Sequence, residues 1–364
     1  MVGSAMAHDL AKQHQVTVAD RDHHTLSKLE AVDNITTRQA DLSDPQQIQQ
    51  VLEGADFAVG AVPGFMGYKT LKTIIEYGTD VVDISFFPED AFGLDELAKE
   101  RNVTAIVDCG VAPGMSNLLL GHHSTSMHIE NFECYVGGLP ANPKAPFNYK
   151  APFSPADVIE EYVRTARLVE NSKTVERPAL SEVVTMNFAE VGILESFNSD
   201  GLRSLIKTMD IPNMKEKTLR YPGHAELMRV FRETGLFSEE PVALKSQQVI
   251  PLELTSRLLF EHWKLKEDEH EFTVMKILIE GTAHGQKKSI QYNLLDRFDE
   301  ATQTSSMART TGYTCTAAID LLVKGKFKRK GICPPEYVGM EEGCTEAILS
   351  YLQERGIEYK HMIS

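Results

Sequence analysis

The first 115 residues alternate short apolar runs with amphipathic stretches, and this alternation constrains the fold more than any other feature of the chain. Four runs have the length and the β-branched content of buried strands: 15–20, 56–62, 81–85 and 104–109. Three stretches between them have helical periodicity: 44–53, 67–77 and 94–101. Apolar strands that alternate with helices are typical of a parallel sheet covered on both faces. The sequence therefore predicts an α/β fold with a Rossmann-type parallel sheet.

After Gly114 the pattern changes to strands separated by long irregular stretches. The predicted strands of this part are 132–138, 182–188, 217–221, 271–279 and 288–295, and the last two form a hairpin. This is typical of an α+β domain with an open sheet, and such sheets often pair across a two-fold axis, so we expect a homodimer. A helix over 305–325 could return to the first domain. We predict a dinucleotide-binding domain over 1–115 completed by 305–330, a substrate-binding and dimerisation domain over 116–304, and a C-terminal segment over 331–364.

The bulk composition excludes several classes of protein. The formal net charge of −15 argues against a nucleic-acid partner, because phosphate binding requires a positive surface. No apolar run reaches the length of a membrane span, and the first residues lack the pattern of a signal peptide. The 5 cysteines are scattered and never form a CxxC pair, which predicts buried thiols in a reducing cytoplasm and no metal site.

The start of the chain carries part of a dinucleotide-binding motif. Gly3 begins a predicted helix, and the strand that follows ends in Asp20, close to the spacing between the last glycine and the acidic residue of G-x-G-x-x-G. An acid at this place accepts hydrogen bonds from the adenosine ribose and repels a 2′-phosphate, which predicts NAD. Arg21 could instead pair with a 2′-phosphate, so NADP stays open.

The first two glycines of that motif and the strand before them do not occur ahead of Gly3. That strand is the central one of the sheet, and the turn after it holds the pyrophosphate. Either the chain starts late, at an internal methionine, or the domain lacks this piece and binds the dinucleotide poorly. We expect the first alternative, with a strand and a G-x-G turn preceding Met1.

Small and acidic residues follow several predicted strands. The carboxyl edge of an open parallel sheet is where ligands bind, and small residues there let a dinucleotide approach the backbone. The further cofactor-binding candidates at this edge are Asp41, Ala61, Val62, Pro63, Asp83, Ser85, Cys109 and Gly110.

Longer motifs follow one another along nearly the whole chain. They are GAVPGFMGYKT (60–70), VVDISFFPED (81–90), VDCGVAPGMSN (107–117), YVGGLP (135–140), FSPADVIEEY (153–162), FNSDGLRSL (197–205), TLRYPGH (218–224) and SSMARTTGYT (305–314). With these motifs the chain resembles the saccharopine dehydrogenase-like family, and within it the lysine 6-dehydrogenase branch. The resemblance implies NAD-dependent oxidation of the ε-amine of L-lysine to a semialdehyde, which cyclises to piperideine carboxylate, with release of ammonia.

Two positions bear on the substrate. Saccharopine-forming relatives tend to carry an acidic residue where this chain has Ala112 before Pro113–Gly114, and a cysteine where it has Val136. These differences favour free lysine, with saccharopine or carboxynorspermidine as alternative substrates. A catalytically weak NAD-binding sensor or scaffold is the alternative of a different class.

Oxidation of an amino acid requires a group that binds the α-carboxylate and a base for the amine. Arg220 is the first candidate for the carboxylate because a guanidinium matches it bidentately, unless it forms a structural salt bridge. Arg309, beside a Thr-Thr-Gly run, is a second candidate that could hold substrate or pyrophosphate, or cap a helix.

His224 and Asp108 are the catalytic candidates. A neutral His224 could take the amine proton, or it could be a structural residue. Asp108 could orient the substrate ammonium, or bind backbone amides in a turn. Gly138 and Tyr149 are weaker substrate-binding candidates, since adjacent glycines also permit a tight turn and an aromatic residue also packs in a core.

Overall fold

The computed structural model describes residues 2–151, 155–266 and 269–364. The chain divides into two compact units. The first comprises Met1–Ser126 and Ala308–Ile357, and the second comprises Met127–Met307 and Glu358–Ser364.

The first stretch of chain has the predicted alternation, and most of its elements are a few residues shorter than predicted. Its elements are α1 (Val2–Leu10), β1 (Val16–Asp20), α2 (His23–Ser27), β2 (Ile35–Gln39), α3 (Pro45–Leu52), β3 (Phe57–Gly60), α4 (Gly64–Tyr77), β4 (Asp80–Asp83), α5 (Asp95–Glu100), β5 (Thr104–Ile106) and α6 (Met115–Ser124). The local chemistry explains several ends. Asp44 accepts a hydrogen bond from the Gln46 amide and caps α3, which starts at Pro45, and Gly78, in the left-handed region at φ 97°, ends α4.

The middle of the chain is richer in strands than predicted. Its elements are β6 (His128–Pro140), α7 (Pro155–Val163), β7 (Ala166–Glu170), β8 (Lys173–Arg177), β9 (Val184–Phe188), β10 (Gly192–Asn198), α8 (Leu205–Thr208), β11 (Asn213–Arg220), α9 (His224–Glu233), β12 (Val242–Ala243), β13 (Gln248–Val249), α10 (Pro251–Trp263), β14 (Glu271–Ala283) and β15 (Gln286–Arg297). The chain ends with α11 (Ser306–Val323), β16 (Gly331–Cys333), α12 (Pro335–Met340), α13 (Cys344–Gln353) and β17 (Lys360–Ile363).

The strands of the first unit are all parallel, as a Rossmann-type fold requires, but they form two separate sheets. One sheet pairs β1 with β2, and the other has the order β16-β5-β4-β3. Among the described residues no strand joins β1 to β3. The core lies between the larger sheet and its helices, with Leu71, Ile75 and Val81 fully buried.

The first unit extends further along the chain than the predicted boundary at 115. Helix α6 packs closely against α12, because both helices present glycines at the contact. A Cβ on Gly121 would lie 2.1 Å from the Glu336 carbonyl oxygen, and one on Gly339 would lie 2.0 Å from that of Leu118. This contact places α6, β16, α12 and α13 in the first unit, so 331–357 does not form a separate C-terminal segment.

The second unit is built on a mixed sheet of nine strands. Its main path is β17-β15-β14-β6-β11-β10-β9, in which only β6 and β11 run parallel, and β7 and β8 extend from β11. The predicted hairpin is present as β14–β15. It turns at His284 and Gly285, both with positive φ (52° and 77°), as a two-residue turn of this hairpin type requires.

Gly137 and Gly138 lie inside β6 and do not form the tight turn that was one of the two alternatives for them. Gly138 pairs with Thr273 of β14. A Cβ on Gly137 would lie 2.6 Å from the Leu219 carbonyl oxygen on β11. At Gly137 the glycine is therefore needed for close approach of two neighbouring strands.

Candidate functional site

The carboxyl edge of the larger parallel sheet carries a buried carboxyl group, Asp83, at the end of β4. Its Oδ1 accepts a hydrogen bond from the Ser85 amide at 2.7 Å, but Oδ2 has no hydrogen-bond partner. Burial is the main cause that raises the pKa of Asp83 to about 8, and the nearby Asp108 charge also raises it. The hydrogen bond from the Ser85 amide lowers the pKa, but by less. Asp83 is therefore a largely neutral acid at pH 7.

The neighbours of Asp83 are shaped to accommodate it. The Ser85 hydroxyl is also buried without a hydrogen-bond partner. Gly60 ends β3 beside the acid, and a Cβ there would lie 1.8 Å from the Asp83 Oδ2 atom. The glycine of the GAVPG motif thus makes room for the carboxyl group of the neighbouring strand.

The segment after β5 forms a compact turn that leads into α6. Asp108 is buried with a positive φ of 52°, a conformation that is uncommon for a residue with a side chain. Its carbonyl accepts a hydrogen bond from Gly110, and Gly114, at φ 139°, would place a Cβ 1.8 Å from the Gly110 carbonyl oxygen. The Cys109 amide donates to the backbone carbonyl of Asp83. Burial raises the pKa of the Cys109 thiol to about 12, so it is not a thiolate.

The smaller sheet places Asp20 at the carboxyl end of β1, partly exposed. Its Oδ1 accepts a hydrogen bond from the Asp22 amide at 2.9 Å, which leaves Oδ2 open to a ligand. Asp41, by contrast, accepts hydrogen bonds from the amide and hydroxyl of Ser43, and these lower its pKa. The carboxylate of Asp41 therefore shapes the turn that precedes α3.

Ala61, Val62 and Pro63 connect β3 to α4 and are exposed or half-buried, as expected for residues that a ligand approaches. No side chain caps the N-terminus of α4. Gly3 lies exposed in the first turn of α1, and a Cβ there would meet nothing within 4 Å. The close packing expected of the last glycine of the motif is not found at Gly3. It occurs at Gly312 of α11, where a Cβ would lie 3.0 Å from Met6.

A nicotinamide dinucleotide fits this edge of the first unit. The open carboxylate oxygen of Asp20 suits ribose hydroxyls, and the uncapped start of α4 suits a phosphate. The unpartnered polar atoms of Asp83 and Ser85 lie at the next strand end of the same edge.

The second unit contains a buried cationic cluster at the end of β11. The Arg220 side chain is 2% exposed, and its Nη2 lies 2.6 Å from Oε2 of Glu161 on α7. The Tyr149 ring covers the guanidinium face, with its centroid 4.5 Å from Cζ. Arg220 also donates to the Tyr162 hydroxyl from Nε and to the Leu219 carbonyl from Nη1.

His224 has a structural role in this cluster. Its Nδ1 lies 2.8 Å from the Phe147 carbonyl, so Nδ1 carries the proton and donates it. Nε2 then accepts the hydrogen bond of the Tyr162 hydroxyl, at 2.9 Å. Burial and the nearby Arg220 charge lower the pKa of His224 to about 3. A buried imidazole with both nitrogens occupied is poorly suited to take a proton from an amine, which argues against the base role.

Glu161, Tyr162 and Glu195 are three members of this site that sequence reasoning missed. Glu195 on β10 pairs with Arg220 in register, and its carboxylate accepts the amides of Gly223 and Ala225 at the start of α9. It thereby fixes the turn of the TLRYPGH motif. The one available signal was the Glu-Glu-Tyr run of FSPADVIEEY, which does not specify a partner.

Arg309 lies in α11 within the first unit. Its Nη2 donates to the Arg355 carbonyl at 2.9 Å, just beyond the end of α13. This contact matches the helix-capping alternative for Arg309, although the helix concerned is α13 rather than α11.

Comparison with known proteins identifies the family. Residues 1–106 match the model of the saccharopine dehydrogenase NADP binding domain, and residues 110–357 match that of the saccharopine dehydrogenase C-terminal domain. The chain belongs to the saccharopine dehydrogenase family, as its motifs predicted.

Individual relatives agree with this assignment. The chain is 24% identical over 259 residues to a saccharopine dehydrogenase [NADP(+), L-glutamate-forming] of Pyricularia oryzae, covering 67% of this chain and 58% of the relative. A protein of the same name from Schizosaccharomyces pombe is 25% identical, with 68% and 59% covered. The apo saccharopine dehydrogenase (L-Glu forming) structure from Saccharomyces cerevisiae shares the fold, with a TM-score of 0.80 at 18% identity over 100% of this chain and 97% of that one. The chain thus spans less than two thirds of the length of the curated relatives it matches.

Three further properties concern the described part of the chain. None of its helices combines the length and apolar character needed to cross a membrane. Within residues 2–151, 155–266 and 269–364, no group of three or more His, Cys, Asp or Glu side chains is placed to hold a metal ion. All 5 cysteines are buried and free, as predicted.

Proposed function

We propose that this chain acts as a nicotinamide-dinucleotide-dependent dehydrogenase that oxidises the carbon–nitrogen bond at the ε-amine of L-lysine. The dehydrogenase activity in this proposal is carried by the match of both saccharopine dehydrogenase domains, in order, along one chain. The choice of L-lysine as the substrate rests on Ala112 and Val136. The open Asp20 carboxylate in the first unit and the buried Arg220 cluster in the second supply the two kinds of recognition that such a reaction needs.

The reaction removes a hydride from Cε and a proton from the amine, and water then hydrolyses the imine. The protonated amine, NAD(P)⁺ and water are converted to the semialdehyde, ammonium, NAD(P)H and one proton. A bound nicotinamide ring supplies the hydride acceptor. In this proposal Arg220 binds the α-carboxylate, and Asp108 is the candidate that orients the amine and accepts its proton, since the geometry of His224 argues against that role.

Asp20 supports NAD as the preferred cofactor, because its negative charge would repel a 2′-phosphate. The names of the family model and of the fungal relatives specify NADP, so the preference is an open test of this chain.

Saccharopine is the second candidate substrate, and the names of the fungal relatives favour it. It is a secondary amine whose oxidation and hydrolysis would release two amino acids. Ala112 and Val136 favour lysine, since they stand where saccharopine-forming relatives tend to carry an acidic residue and a cysteine.

A substrate panel tests the proposal. L-lysine, L-ornithine, saccharopine and carboxynorspermidine are each incubated with NAD⁺ and with NADP⁺, and absorbance at 340 nm is followed. We expect the largest kcat/KM for L-lysine, and loss of most of it in Asp108→Asn. Turnover of saccharopine alone would transfer the assignment to the second candidate, and binding of NAD(P)⁺ without oxidation of any amine would refute a dehydrogenase.

A further inference from the structure

Residues 239–249 form an exposed arm on the second unit. Within the arm β12 pairs antiparallel with β13, and the Leu244 amide closes the turn by donating to the Gln247 carbonyl. All residues of the arm except the last are exposed, and the apolar Val242 and Leu244 are 49% and 55% exposed. A hairpin of two such short strands is marginally stable in water by itself. The arm therefore gains stability from any surface that covers its apolar side chains.

Helix α10 follows the arm directly and has two different faces. Its inner face packs Leu259 and Trp263 into the aromatic core of the second unit. Its outer face exposes Leu254 and Leu258, one helical turn apart, at 53% and 61%. Single exposed leucines are ordinary, but two in one row of a helix, next in sequence to an apolar arm, indicate an interaction surface. The arm does not cover this face of its own helix, since both are exposed.

The arm and the outer face of α10 have matching apolar spacings. In an extended strand, Val242 and Leu244 lie on one side about 6.6 Å apart. The rise of an α-helix places Leu254 and Leu258 about 6 Å apart along the helix axis. A strand of the arm laid along α10 therefore places each of its two apolar side chains on one leucine.

The charges that flank these apolar pairs favour one direction of packing. When the strand runs in the same direction as α10, Glu240 lies at the N-terminus of the helix, which no side chain caps, and Lys245 lies near Glu261. Both placements are favourable, although Glu253 in the first turn of α10 weakens the first of them. In the opposite direction Glu240 would meet Glu261, and Lys245 would meet the positive end of the helix dipole.

We propose that the arm of one chain packs on the outer face of α10 in a second copy of the chain, and that the two copies exchange arms reciprocally in a homodimer. Each chain carries both complementary surfaces, so a two-fold arrangement covers both arms and both helices at once. The dimer contact then lies on the arm and α10, and not on the open sheet from which the sequence predicted a homodimer.

Sedimentation equilibrium of the full chain tests the proposal. We expect a dimer whose Kd rises at least about tenfold in Leu244→Asp and in Leu258→Asp, since each change places a carboxylate in the apolar contact. Met362→Asp is the matched control, because Met362 is exposed to a similar degree (59%) but lies on β17 at the edge of the nine-stranded sheet. The control should change the Kd by less than about twofold.

An exchange of charges tests the direction of packing. Lys245→Glu and Glu261→Lys should each raise the Kd by about tenfold at low salt, because every dimer contains the contact twice. The variant that combines both changes has opposite charges again, so its Kd should return to within about threefold of that of the unmodified chain. Losses that add in the combined variant would overturn the proposed packing.

Disulfide crosslinking gives a second readout, because all 5 native cysteines are buried and an introduced surface cysteine reacts selectively. Leu244→Cys chains mixed with Leu258→Cys chains under a mild oxidant should form a linked pair with one chain of each kind. A chain that is monomeric at every concentration would overturn the inference. So would a dimer that Met362→Asp disrupts and the arm variants do not. A disulfide formed within one monomeric chain that carries both cysteines would show that the arm covers its own helix, which also overturns it.

Discussion

Asp83 in the first unit and Arg220 in the second are both buried ionisable side chains, yet their surroundings differ. Arg220 has a carboxylate, two tyrosines and a carbonyl around it, and it keeps its charge. Asp83 has one amide donor, an unpartnered oxygen and the negative Asp108 nearby, and it loses its charge instead. Burial thus fixes a permanent cation in one unit and produces a neutral acid in the other.

The difference follows from the cost of burying charge. A buried charge is retained only when partners replace the hydration it has lost, and otherwise the group shifts its pKa and becomes neutral. Arg220 has partners that replace its lost hydration, and residues distant in sequence supply them. Asp83 lacks such partners. Mutation can change either the partners of such a group or its charge.

Mutation of Arg355 should give the largest loss of stability, because Arg355 neutralises a third buried charge, the carboxylate of Asp9. Asp9 accepts hydrogen bonds from Arg355, Tyr351 and Thr316; burial alone would raise its pKa, but these partners lower it. Arg355→Ala should reduce the free energy of unfolding by about 3–5 kcal/mol, since it leaves Asp9 without its main counter-charge. Urea denaturation measures the loss. A cost below about 1 kcal/mol, typical of an exposed pair, would contradict this account.

Arg220→Ala should raise the KM for the amino acid by roughly 100-fold, which corresponds to about 2–3 kcal/mol for a lost charge-assisted pair. Arg220→Lys keeps the charge but not the planar fork, so it should recover only part of the affinity. Steady-state kinetics and thermal melting are measured together. If melting temperature falls while KM holds, the arginine is a structural partner of Glu161 and does not bind substrate.

Asp83→Asn should remove one component of the pH dependence of stability. The folded chain holds the Asp83 proton up to pH of about 8, whereas the unfolded chain releases it near the ordinary value of 3.8. Raising the pH between these values therefore favours unfolding, by up to about 1.4 kcal/mol per pH unit. Other titratable groups lie near Asp83, namely Asp108, Cys109 and Cys315. The contribution of Asp83 is therefore taken as the difference in free energy of unfolding between the variant and the unmodified chain at each pH. Parallel stability curves from pH 5 to 8 would mean that Asp83 is ionised when folded.

The contrast between Asp83 and Arg220 also separates what the sequence predicts from what it does not. Strand and helix periodicity predicted the parallel sheet, and the position of Asp83 and Ser85 at strand ends followed from it. The sequence did not predict that the Asp83 carboxyl group is buried without a partner for one oxygen, because the space for that oxygen depends on Gly60 of the neighbouring strand. The Arg220 partner Glu161 lies 59 residues away, and Glu195 reaches the same place through strand register. Such pairings arise from tertiary packing, which no local pattern encodes.

Mutation of Asp20 should have the smallest energetic effect of the four, and Asp20 contrasts most clearly with Asp83. Both acids end a strand of the first unit, but Asp20 is partly exposed and its Oδ2 meets no donor. An ionised Asp20 would repel a 2′-phosphate, and Asp20→Ala should narrow the ratio of kcat/KM between NAD⁺ and NADP⁺ by about tenfold, or roughly 1.4 kcal/mol. Asp41→Ala is the matched control, since its carboxylate is bound to Ser43 and should not contribute to that ratio. A tenfold preference for NADP⁺ in the unmodified chain would assign the dominant charge to Arg21 instead, and Arg21→Ala would then be the variant that abolishes the preference.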